Sequence, residues 1–142
     1  RCKTCVGFHG WCKTCAVKVH KYLPFHQLEV WEGVCYNDIS LCELGFVWLL
    51  GHGSKPCPSS NGWEDTSRIT IVHSSGIFSH MVSWCTCPDV PWEERHLQLL
   101  RARLFPASIV RPETAFTFDV LAHFRIDNLE CKTTAMSVFS KL

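Results

Sequence analysis

The sequence has no long hydrophobic run. Its longest apolar stretch, LGFVWLLG at 44–51, falls well short of the roughly 20 residues a membrane-crossing helix needs, so no membrane partner is expected. Charge is scarce too. Charged residues make up 19% and the formal net charge is +1, which argues against a nucleic-acid binder that is basic in bulk and against an acidic disordered tail. The signatures G-x-x-x-x-G-K-S/T, H-E-x-x-H, G-x-S-x-G and the deaminase H-x-E with P-C-x-x-C are all missing, and the carboxylates do not gather as a metal-dependent nuclease needs. Neither catalysis nor a small-molecule substrate is expected of this segment. Acids are absent from residues 1–28, which hold Arg1, Lys3, Lys13, Lys18 and Lys21. That basic patch could meet phosphates, or its lysines could offset thiolate charge beside a metal. The chain opens at Arg1 without a methionine and reads as a piece of something longer, so missing targeting signals carry no weight.

Against these absences stand ten cysteines and eight histidines in 142 residues. Hydrophobic residues reach 46%, with six Trp and nine Phe, enough for a packed core in one domain or two small ones. In a secreted chain the cysteines would suggest five disulfides. Three features point to metal instead. The cysteines open as C-x-x-C pairs, a chelating spacing. Cys85 and Cys87 are too close for an unstrained mutual disulfide. Histidines follow the cysteines, which zinc uses and disulfides do not. Two tandem C-x-x-C pairs also fit poorly with a thioredoxin-like redox motif. The expectation is Zn²⁺ in a reducing compartment.

In the N-terminal part the ligand-capable residues are Cys2, Cys5, Cys12, Cys15, His20, His26, His52 and Cys57, the eight that two tetrahedral ions require. The gap between Cys5 and Cys12 is too short for separate fingers, so an interleaved arrangement is expected. One ion takes Cys2, Cys5, His20 and His26, and the other Cys12, Cys15, His52 and Cys57. His9 reads as a solvated loop residue. Asp38 or Ser40 is positioned to cap a helix through Leu41, Leu44, Phe46, Val47 and Leu50, stopped by Gly51. Cys35 and Cys42, in apolar surroundings, read as buried free thiols.

In the C-terminal part, SRITIVHSSGIFSHMVSWCTCP reads as a β-hairpin turning at Ser74-Ser75-Gly76. Its second strand runs into Cys85 and Cys87, whose i, i+2 spacing puts both thiols on one side. They are either an unligated pair or half of a third zinc site, completed from His80, His73, His96 or Cys131. His80 would need a bulge to reach them. EERHLQLLRARLFP, 93–106, reads as a helix, and its Arg95, Arg101 and Arg103 give it a basic edge. In RPETAFTFDVLAHFRIDN both strand and helix spacings occur; a helix capped by Thr114 is preferred. A last helix starts after Lys132. The whole reads as a small α+β, zinc-stabilised domain: interleaved knuckles over 1–58, then a hairpin with about three helices over 66–142, packed as one unit.

The order of these features closely resembles a known family. SLCELGFVWLLGHG, WCTCP at 84–88, LLRARLFPAS at 99–108 and PETAFTFDVL at 112–121 carry the resemblance to the CxC2-like cysteine-cluster domain found with fungal KDZ transposases. It implies a zinc-chelating module ahead of a transposase catalytic domain of RNase H-like fold. It also implies metal roles for the N-terminal cysteines, His20, His26, His52 and Cys57, and leaves Cys35 and Cys42 outside the ligand pattern. Nothing in the chain matches the transposase's catalytic acids. Together these readings suggest a nuclear accessory domain of a mobile element that binds DNA or chromatin through Lys3, Lys13, Lys18, Lys21, Arg95, Arg101 and Arg103. The alternative is a protein-interaction module, since C-x-x-C pairs followed by histidines are similar to B-box and RING-type domains.

Overall fold

The structure, a computed structural model, describes residues 1–60 and 65–140. It is α+β and divides into two compact units, Arg1–Val47 and Trp48–Leu142. The sequence groups His52 and Cys57 with the knuckles of 1–58; in the structure both belong to the second unit.

The first unit holds helix α1 (Lys13–His20) and the antiparallel strands β1 (Leu28–Trp31) and β2 (Tyr36–Ile39). Gly33, at φ +90°, makes the turn between the strands in a conformation that L side chains rarely adopt. The first residues lie along β1, with Cys2 opposite Leu28, the Lys3 N–H donating to the Gln27 carbonyl and the Glu29 N–H to that of Arg1. The apolar core is small: Cys2, Ala16, Leu28, Leu41 and Phe46 are buried. A unit this short seldom folds on such a core without a staple.

The expected helix through Leu41–Leu50 is a single turn, closed at both ends. Ser40 Oγ accepts from the Glu43 N–H while Glu43 Oε2 accepts from the Ser40 N–H, a capping box. One turn later Gly45, at φ +88°, ends it in a Schellman motif, with Gly45 N–H to the Cys42 carbonyl and Phe46 N–H to that of Leu41. The chain then enters strand β3 (Val47–Leu49) instead of continuing as helix.

The second unit is built on a five-stranded sheet of order β3-β5-β4-β7-β6, where β4 is Thr66–His73, β5 Gly76–Ser83, β6 Leu104–Pro106 and β7 Thr114–Thr117. The expected hairpin is present as β4 (Thr66–His73) and β5 (Gly76–Ser83), paired antiparallel from Thr66↔Ser83 to His73↔Gly76. Ile69, Ile71 and Val82 are fully buried. After a short 3-10 turn at Trp92–Glu94, α2 covers only Arg95–Arg101. Arg103, at φ +62°, turns the chain out of the helix into β6 (Leu104–Pro106). Pro106 lacks an N–H to donate, and an edge strand such as β6 accommodates that.

β7 (Thr114–Thr117) pairs parallel to β4 and antiparallel to β6. The segment with mixed spacing is therefore a strand followed by a helix. Helix α3 (Phe118–Cys131) is capped by Thr117, whose hydroxyl accepts from the Val120 N–H, and not by Thr114. Helix α4 (Ala135–Phe139) follows, capped by Thr134. The end of that expected helix, at 141–142, lies outside the described residues.

Candidate metal centres

Cys2, Cys5, His20 and His26 form one cluster. Pairing of the first residues with β1 fixes Cys2, and the N–H groups of Thr4 and Cys5 point at its sulfur, 3.4 and 3.3 Å away. Such N–H donors stabilise a thiolate and set its direction. His20 ends α1 and is fully buried. Its Nδ1 lies 2.8 Å from the Ala16 carbonyl, which can only accept, so Nδ1 carries the proton and Nε2 is left to bind a metal. That Nε2 is 3.5 Å from Cys5 Sγ. His26 Nδ1 lies 3.5 Å from Cys2 Sγ and 3.3 Å from Cys5 Sγ. Burial, helped by His20, lowers the His26 pKa and so favours the neutral ring, the form that ligates.

His52, Cys57, Cys85 and Cys87 form the other cluster. Cys57 Sγ is 3.9 Å from Cys85 Sγ and 3.7 Å from Cys87 Sγ. His52 Nε2 sits 3.2 Å from Cys85 Sγ and 3.3 Å from Cys87 Sγ. The loop that presents His52 is left-handed over four residues, with Gly51, His52, Gly53 and Ser54 all at positive φ. A Cβ on Gly51 would come within 3.2 Å of the Cys85 Cβ, so both its backbone and its lack of a side chain serve the approach. Gln98, buried on α2, clamps the Cys85 backbone: its Oε1 accepts from the Cys85 N–H at 2.8 Å and its Nε2 donates to the carbonyl at 3.0 Å.

The thiols of this cluster differ. Burial pushes Cys57 up, but the N–H groups of Thr86 and Ser59, with the neighbouring thiols, outweigh it and bring it down to about 6. Cys87, sharing protons with Cys85 and Cys57, is pushed up to about 11. A ready thiolate at Cys57 beside a protonated Cys87 is a site that releases a proton when a cation enters.

The donor sets, Cys₂His₂ and Cys₃His, are those of structural zinc sites. With metal–sulfur bonds of about 2.3 Å and metal–nitrogen bonds of about 2.0 Å, the edges of a ligand tetrahedron run roughly 3.3–3.8 Å. Seven donor separations, 3.2 to 3.9 Å, match such edges, and the four donor atoms of each cluster all lie within 4.8 Å of one another. They are too long for disulfides, and all ten cysteines are free.

The expected interleaving of the second site differs from what the structure brings together. Cys12 and Cys15 join neither cluster among the described residues. Cys12 is the N-cap of α1 and Cys15 lies in its first turn; the helix buries Ala16 and His20 and leaves both thiols exposed. His52 and Cys57 are met by Cys85 and Cys87 instead, which removes the need for a third ion at that pair. His80 is not beside them. It lies buried in β5, its ring against Trp48 and Phe78, in keeping with its strand parity. Cys35 is exposed next to the β1–β2 turn rather than buried.

Of the expected phosphate-binding residues, Lys3 is paired with Asp38 at 2.5 Å. Lys13, Lys18 and Lys21 are exposed around α1, and Lys21 lies over the Tyr22 ring. Arg95 lies over Trp84, 5.1 Å from its ring centroid, while Arg101 and Arg103 are exposed. Gln98 went unnoticed in the sequence, where a helical glutamine has no mark to distinguish it.

No curated protein and no solved structure matches the chain. A family model described as "CxC2 like cysteine cluster associated with KDZ transposases" matches residues 41–142, a span that contains the whole His52–Cys87 cluster. That is well over half of the sequence, and the chain belongs to the CxC2-like cysteine cluster family associated with KDZ transposases.

Proposed function

We propose that this segment is a zinc-stabilised, non-catalytic accessory domain of a KDZ-type transposase that works in the nucleus and binds DNA or chromatin to place the transposase. The observation that carries this reading is one tetrahedrally spaced Cys/His cluster in each unit of a chain from a transposase-associated family. Cys2, Cys5, His20 and His26 would hold one Zn²⁺, and His52, Cys57, Cys85 and Cys87 the other. Each ion would act as a cross-link, contributing on the order of 10 kcal/mol to folding, which is comparable to the whole stability of a domain. The clusters leave no position open for a substrate water, as a structural site should.

The DNA reading draws on the family association and on arginines presented from ordered elements. It predicts affinity for duplex DNA that falls steeply with salt. Binding that ignores salt, or no binding at moderate salt, would contradict it.

A protein-interaction role is the second reading, favoured by the exposed pair Trp31 and Tyr36, whose ring centroids lie 5.0 Å apart on the β1–β2 hairpin. Exposed aromatics of this kind are common anchors at interfaces. Retention of DNA affinity in a Trp31→Ala variant would separate the two roles.

A further inference from the structure

β4 is eight residues long, but β7 pairs only with its Thr70–Val72 part. Beside the earlier part of β4 the chain at 110–112 has no strand pairing with it, and a recess of about 400 Å³ opens there. Arg68, Arg95 and Arg111 line it together with Ser67, Thr70, Trp84 and Glu113. Three arginines from three separate segments thus line it with one carboxylate, Glu113, whose Oε1 lies 3.4 Å from Arg111 Nε.

The donors are arranged by the fold. Arg68 and Thr70 are both exposed and, two apart on one strand, point to the same face. Arg95 is steadied over Trp84, and the Trp84 indole N–H donates to Ser67 Oγ at 2.7 Å, leaving the Ser67 hydroxyl its own proton to donate. The Thr70 N–H donates to the Glu113 carbonyl at 2.9 Å. By strand alternation the Arg68 N–H points to that same edge, where the recess lies. Arginine forks, hydroxyls and backbone N–H groups are the three donor types that hold nucleic-acid phosphates.

We infer that the recess lined by Arg68, Arg95 and Arg111 is a site for the phosphodiester backbone of DNA. This rests on the DNA-binding reading above and locates it, largely on residues that composition and helix edges did not single out. Arg68 and Arg111 make the contacts that discriminate, because both are exposed and neither packs on the buried Trp84.

The test is fluorescence anisotropy of a labelled 20-base-pair random duplex with the zinc-loaded protein, titrated across salt concentrations. Arg68→Ala with Arg111→Ala should flatten the slope of log affinity against log salt by about 2, near 0.9 per lost phosphate contact, and weaken binding at least about tenfold at low salt. Arg68→Lys with Arg111→Lys should keep most of the slope. Zinc content and near-UV dichroism should match wild type in both. If wild type binds with a steep salt slope and the alanine pair leaves it unchanged, the recess is not the site and the DNA reading stands. If wild type does not bind the duplex, both fall. Binding of a poly-glutamate peptide at the recess, with no binding of DNA, would also overturn the proposal by making it a site for acidic protein.

Discussion

The His52 Nε2 lies 3.2 Å from Cys85 Sγ, across thirty-three residues of sequence. This contact ties the loop after β3 to the strand end after β5, and it depends on Gly51 to bring the two backbones together and on Gln98 to hold Cys85 in place. It is a long-range restraint on one edge of the second unit's sheet.

Cys85→Ser is therefore expected to remove one ion per chain and leave the other, because Cys85 is not a member of the Cys2, Cys5, His20 and His26 donor set. The lost cross-link should cost several kcal/mol of stability, the range for breaking a structural metal site. Metal analysis alongside chemical denaturation reads both. Two ions retained would contradict the ligand assignment.

Cys12→Ser with Cys15→Ser should leave both ions bound, and in the zinc-loaded wild type these thiols should react with iodoacetamide while the cluster thiols are protected. Their pKa values move apart. The Cys15 N–H and thiol lower Cys12 below its ordinary 9.0, and sharing with Cys12 raises Cys15 above it. Near neutral pH more of Cys12 than of Cys15 is thiolate, so Cys12 should be labelled first. Its rate should level off at lower pH than that of Cys15. Peptide mass spectrometry of timed labelling reads the order; equal rates, or protection by zinc, would count against it.

Ser74, in the β4–β5 turn, donates to Asp119 in the first turn of α3 at 2.5 Å. This hydroxyl is the main reason the Asp119 carboxyl lies below its ordinary 3.8. A carboxyl whose folded pKa is lowered stabilises the fold above its unfolded value and gives that up as pH falls through the folded one. The group is exposed, so Asp119→Ala should cost only about 0.5–1 kcal/mol at neutral pH. The difference from wild type should vanish in acid below the ordinary carboxylate range. Melting curves at both pH values check the sign.

What the sequence made legible was local chemistry. The β4–β5 hairpin announced itself by β-branched and aromatic runs around a glycine at the turn, and the ligand types by their spacing. The set Cys2, Cys5, His20 and His26 could be grouped because a short stretch of chain contains it. The partners of Cys85 and Cys87 could not, since nothing local records that the sheet returns their strand end to the His52 loop. Helix spacing misled wherever one residue ended the run early: Gly45 closes the turn after Leu41, and Arg103 diverts the chain into β6. Thr114 and Thr117 are equally good caps on paper. The pairing of Thr114–Phe116 with β4 decides for Thr117.

On the proposed function, two four-ligand sites each hold a zinc ion that keeps the fold together. Elemental analysis of protein purified under reducing conditions without added metal tests it most directly. Two zinc ions per chain are expected, with loss of the near-UV spectrum when a chelator strips them. Protein free of metal that keeps its spectrum and melting point, or whose thiols are paired as disulfides, would contradict it.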